Sequence, residues 1–137
     1  MGRKRAREST MKLLYQMEMH EDFSDHIVNF YFENNNFDEG EKEYILDAVS
    51  KIVENLESID SQIEKNIEKW EINRLAKIDL CVLRIAIYEI LYRPDIPIEV
   101  SINEAIEISK KYSSEQSSKF VNGVLGSIVR SNDINGK

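Results

Sequence analysis

The stretch "LAKIDLCVLRIAIYEILY", residues 75–92, is apolar on nearly every helical face. A segment of that kind leaves water only when other elements surround it, so it predicts a buried helix at the centre of a helical bundle. Lys77, Asp79, Arg84 and Glu89 interrupt it, which a lone membrane span would not tolerate. Buried charge is costly unless paired. Asp79, Arg84 and Glu89 are therefore expected to reach the surface or an ion pair, with partner docking as the sharper alternative for Asp79. Pro94 and Pro97 in "RPDIP" end the helix.

The rest of the pattern is also helical. A first amphipathic helix is expected over about 3–21, with Ala6, Thr10, Leu13, Leu14 and Met17 at helical spacing, and a short second one over about 25–33. "ENNNFDEG" reads as a loop. Asp38 and Glu41 have capping-box spacing and open a third helix with the stripe Tyr44, Ile45, Ala48, Val49, Ile52 and Leu56. Ile59, Ile63 and Ile67 continue as a fourth helix ending near Trp70. Ser101 and Glu104 form a second capping box, predicting a sixth helix over about 102–112. "SSEQSS" reads as the last loop and "KFVNGVLGSIVR" as the seventh helix, before a frayed tail, "SNDINGK". Five glycines and two prolines among 137 residues fit long helices better than a turn-rich sheet. The expectation is an all-α fold, a seven-helix bundle formed by residues 1–137 as a single domain. Gly123 sits inside a helix at a cost of about 1 kcal/mol relative to Ala, which points to a close helix–helix contact.

Charge is segregated along the chain. The net formal charge is -7, yet residues 1–12 carry five cations (Arg3, Lys4, Arg5, Arg7 and Lys12) against Glu8. Residues 13–60 carry thirteen acids against two cations. Cations at a helix N-terminus oppose the helix dipole, so the basic start is either a solvated end or a surface for something anionic. Nucleic-acid binding follows the local patch more than the net charge. Phe120, at the start of the last helix, is either core or a ring on which a base can stack.

Catalytic and metal chemistry find little support. His20 and His26 straddle a loop, and a calcium-loop register beginning at Asn34 places Glu39 where glycine is needed and Ile45 where glutamate is needed. No phosphate-binding glycine loop or nucleophile signature is present, so neither an enzyme nor a cofactor is expected. The single Cys81 lies among apolar neighbours and excludes an internal disulfide. No signal-peptide pattern follows the basic start, and the expected location is the cytoplasm.

Several stretches together resemble the NusB family of bacterial transcription antitermination factors. They are "RKRARE" at the start, a tryptophan and an arginine ahead of "DLCVLRIAIYE", then "SINEAIEISKKY" and "SSKFVNGVLGSI". The resemblance spans the chain in order. It implies a fold of seven helices in two perpendicular subdomains and a protein that is not an enzyme. It further implies binding of single-stranded boxA RNA in nascent ribosomal RNA transcripts, as a heterodimer with NusE, a ribosomal protein. The pair would join the RNA polymerase elongation complex with other Nus factors. Family members occur as monomers and dimers, so a homodimer is among the expected states. Position by position, Arg3, Lys4, Arg5 and Arg7 match the arginine-rich RNA-binding motif, and Tyr15 matches a tyrosine beside it. Lys119 and Phe120 match a lysine and a phenylalanine near the RNA, and Asp79 matches an acid that helps dock NusE. Gln116 stands where some members carry an acid, and Leu80 where many carry a polar residue. A similar module opens some ribosomal-RNA cytosine methyltransferases, for whose catalytic domain 137 residues are expected to leave no room.

Overall fold

The computed structural model describes residues 3–67 and 71–132. Among them run seven α-helices: α1 (Arg3–His20), α2 (Asp25–Glu33), α3 (Glu39–Glu54), α4 (Leu56–Lys65), α5 (Lys77–Tyr92), α6 (Ile98–Tyr112) and α7 (Glu115–Ser131). One 3-10 turn, Ile72–Arg74, precedes α5. None of these helices is long and apolar enough to cross a membrane.

The central segment behaves as its composition demands. Every residue of α5 from Asp79 to Ile90 is buried. On one hand α5 packs against α1 and α3, and on the other against α4, α6 and α7. Arg84 and Glu89 are accommodated by pairing, whereas Asp79, expected at the surface or in an ion pair, is buried and makes no ion pair among the described residues. Arg84 donates to Asp60 at 2.9 and 2.8 Å and to Glu18 at 2.7 Å, tying α5 to α4 and α1. Burial by itself lowers the Arg84 pKa, but these carboxylates outweigh it and the guanidinium ends above its usual range. Cys81 is enclosed beside it, and loss of solvation pushes its thiol up to about 12, leaving it unreactive at neutral pH.

Local signals set most boundaries. The Asp38 carboxylate accepts from the Glu41 amide at 2.8 Å and Glu41 accepts from the Asp38 amide at 3.0 Å, a complete capping box. α1 closes at Glu21, whose φ of 51° is the left-handed turn that lets the Asp22 amide reach the Met17 carbonyl at 3.0 Å.

Several boundaries depart from the sequence reading. α6 begins at Ile98, directly after Pro97, which presets the first helical turn, so Ser101 lies inside the helix and is no cap. Its hydroxyl donates instead to Glu89 at 2.6 Å. Of "SSEQSS" only Ser113 and Ser114 stay outside helix: Ser114 caps α7 by accepting from the Ser117 amide at 2.9 Å, and α7 begins at Glu115. α4 ends at Lys65, and Trp70, the expected end, lies outside the described residues, as does the tail from 133 onward.

Candidate nucleic-acid interface

The basic start folds into the first turns of α1, and the bundle treats its members differently. Arg7 is drawn inside. Its side chain is 6% exposed and forks onto Glu89, with Nε at 2.7 Å and Nη2 at 3.2 Å. Burial alone lowers the Arg7 pKa, but the bond and charge of Glu89 reverse that and hold it above its usual value. The expectation that Arg7 offers its guanidinium to a phosphate therefore does not fit its placement, because the carboxylate already occupies both edges used.

The other cations face outward. Lys4 is exposed, 3.6 Å from Glu104. Arg3 lies over the Tyr44 ring at 5.2 Å. Arg5 meets Glu41 at 2.6 Å and covers the Phe37 ring at 4.6 Å, with about half of its side chain still solvated. Farther along the same face, Lys12 lies 5.4 Å from the Tyr112 ring centre, and Lys111 of α6 lies 5.3 Å from it. Glu8 holds this corner, 3.2 Å from Lys111 and 2.9 Å from the Tyr112 hydroxyl. Tyr15, one turn beyond Lys12, is partly exposed. Lys12 belongs to the basic start, but Lys111 and Tyr112 are not recognisable as site residues in the sequence. The "KKY" of α6 is the only signal, and nothing in it says that α1 lies alongside.

From Tyr112 the chain turns through Ser113 and Ser114 into α7, where a surface cavity of about 290 Å³ opens. Arg74, Asp79, Gln116, Ser117 and Phe120 line it. Phe120 is half-buried: it packs on the edge of the core and also lines the cavity, so both sequence alternatives hold in part. Lys119 beside it is exposed. Asp79 is 6% exposed; its Oδ2 accepts from the Ser117 hydroxyl at 3.1 Å, and its buried Oδ1 has no partner among the described residues. Burial raises the Asp79 pKa, with the Ser117 and Ser113 hydroxyls pulling the other way. Arg74 also escapes the sequence reading as a site residue. The cavity thus joins an arginine and an aromatic residue, groups that can meet a nucleotide's phosphate and base face, with the Asp79 carboxylate in its wall.

Gly123 lies one turn beyond Phe120 and is exposed, and a Cβ built there would meet nothing within 4 Å. The expected close helix–helix contact is absent. Gly123→Ala is expected to stabilise the protein by up to about 1 kcal/mol, because a mid-helix glycine is replaced without a clash. A lower melting temperature in this variant, measured by circular dichroism, would contradict that reading.

Comparison with known proteins agrees with this architecture. The sequence pattern of the NusB family matches residues 4–130. The chain belongs to the NusB family. The transcription antitermination protein NusB of Acetivibrio thermocellus is 46% identical over 130 residues, covering 95% of this chain and 90% of its own length. That of Ruminiclostridium cellulolyticum is 48% identical over the same shares of each chain. Among solved structures, T. maritima NusB superposes with a TM-score of 0.87 at 42% identity, covering 95% of this chain and 92% of its own. A crystal structure of antitermination factors NusB and NusE in complex with dsRNA matches with a TM-score of 0.82 at 28% identity, over 93% and 96% of the two chains. As a NusB-family protein the chain is a transcription antitermination factor and not an enzyme. Among the described residues no group of three His, Cys, Asp or Glu is placed to hold a metal ion.

Proposed function

We propose that this NusB-family chain binds single-stranded boxA RNA of nascent ribosomal RNA transcripts. It does so with NusE, and the pair joins the cytoplasmic RNA polymerase elongation complex alongside other Nus factors. The observation that carries the reading is one cavity lined by Phe120, Arg74 and Asp79. A ring can stack on a base only if the base is unpaired, which favours a single strand or a splayed end. Phosphates entering and leaving the cavity are met by Lys119 on one side and by the band Lys111, Lys12 and Lys4 around the α6–α7 corner, with Tyr15 beside it. Arg3 and Arg5 extend that band toward the start of α1. Asp79, which holds the Ser117 hydroxyl at the wall of this cavity, marks where NusE docks. Arg7 acts from behind, fixing α1 in place.

Exposed cations and a stacking ring make separable contributions. The triple variant Lys4→Ala, Lys12→Ala, Lys111→Ala is expected to keep its melting temperature and lose RNA affinity. The slope of log affinity against log salt should flatten by roughly 0.7 for each phosphate left without its cation, about 2 in all, the value for single strands. Gel-shift titration with boxA RNA at several salt concentrations, with and without NusE, measures it. An unchanged slope removes the cationic band from the interface.

A further inference from the structure

The RNA-facing surface leaves the most acidic part of the chain without a role. Four of the thirteen acids in residues 13–60 hold a cation within the fold. Glu18 and Asp60 hold Arg84, Glu41 holds Arg5, and Asp47 holds Lys51. Asp25 and Glu54 are among the others. Both are exposed, and neither makes an ion pair among the described residues. They stand on the rim of an apolar groove of about 260 Å³ that α3 forms with α2 and the end of α1. Its floor is Met17, Val28 and Val49, and its walls are Phe23, Leu46 and Val53.

Two features of this groove work against the isolated fold. Leu46, in the middle of α3, is 42% exposed, although a polar residue there would leave the core intact. Glu54 is the last residue of α3, where the helix dipole disfavours an anion. A sequence shaped by stability alone would place a polar residue at the first position and a cation at the second. From Leu46 to Glu54 the groove follows about two turns of α3, roughly 12 Å. That length suits a short helix with apolar anchors at i, i+3 and i+4.

We infer that this groove docks a basic amphipathic helix from a partner protein. Its apolar face covers Leu46, Phe23 and Val53, and its lysines or arginines pair with Asp25 and Glu54. Charge selects the occupant. A nucleic acid would meet carboxylates, and in a second copy of this chain the cationic helix α1 has its apolar face already buried against α3 and α5. A cationic helix gains from both the apolar floor and the acidic edge. The groove shares no lining residue with the Phe120 cavity, so partner docking and RNA binding are separate events.

A fluorescein-labelled 14-residue Leu–Lys peptide, designed to fold with all leucines on one face, serves as the probe in fluorescence anisotropy. The comparison peptide has the same composition with its leucines scattered around the helix. The facially amphipathic peptide is expected to bind at least tenfold more tightly than the scattered one. Leu46→Ser should weaken it about tenfold, and Asp25→Asn with Glu54→Gln should weaken it several-fold while flattening its salt dependence. RNA affinity and melting temperature of both variants stay at the wild-type values. Equal binding of the two peptides, or unchanged binding by Leu46→Ser, overturns the inference. So does sedimentation equilibrium showing a homodimer that Leu46→Ser dissociates, since the groove would then belong to a second copy.

Discussion

Replacing Glu89 with Ala is expected to lower stability by about 3–5 kcal/mol, a large part of the total for a domain of this size. One carboxylate here serves four helices. It lies on α5 and accepts from Arg7 of α1 at 2.7 and 3.2 Å, from the Tyr44 hydroxyl of α3 and from Ser101 of α6 at 2.6 Å. Glu89 is 1% exposed and the Arg7 side chain 6%, so water cannot take the place of the missing partner. Truncation strands a guanidinium in the core, and the Tyr44 and Ser101 hydroxyls lose their acceptor. In thermal unfolding the midpoint is expected to fall by about 10–20 °C. The double variant Arg7→Met, Glu89→Leu should recover most of that loss, because no charge is left unpaired. A midpoint for Glu89→Ala within 2–3 °C of wild type, on the order of 1 kcal/mol, would show the carboxylate to be dispensable.

That network alters how mutations in the basic start are to be interpreted. Under the proposed function, Arg7→Ala is expected to weaken RNA binding by loosening α1, whereas Lys4→Ala is expected to remove a surface charge from an intact helix. A variant that changes all four cations at once mixes the two effects. Stability measurements on each single variant separate them.

The sequence makes the interior of this molecule more legible than its surface. An eighteen-residue segment with apolar residues on all faces has one physical solution, and α5 adopts it. The Asp38–Glu41 box is readable because both of its hydrogen bonds lie within four residues. The same spacing at Ser101–Glu104 misleads, because Pro97 has already started the helix and a carboxylate twelve residues away engages the serine hydroxyl. The two charged centres of α5 are visible as a problem, but not their solutions. Glu89 finds Arg7 across 82 positions and Arg84 finds Glu18 across 66, distances over which a single sequence carries no pairing signal. The basic cluster is visible as a run of cations, yet its division into one buried arginine and several exposed groups depends on how α1 is rotated against α5. Arg74 and Lys111 join the site only because the bundle brings the 3-10 turn and the end of α6 to the start of α7.

Phe120→Leu is expected to weaken binding of boxA RNA by about 5- to 150-fold, the 1–3 kcal/mol that one base–aromatic stack contributes. Leucine keeps the apolar bulk that Phe120 places against the edge of the core, so the melting temperature should change little. It removes the flat face that a base needs. The ring carries no charge and meets no phosphate, so the salt slope should stay at its wild-type value while the whole affinity line drops. That pattern is the converse of the Lys4, Lys12, Lys111 variant, in which the slope itself changes. Measured together, the two variants distinguish a stacking pocket from an electrostatic band, and an interface built as proposed requires both responses. If Phe120→Leu binds RNA as tightly as wild type across the salt range, the cavity between Arg74, Asp79 and Phe120 does not hold a base, and recognition must lie elsewhere on the cationic face.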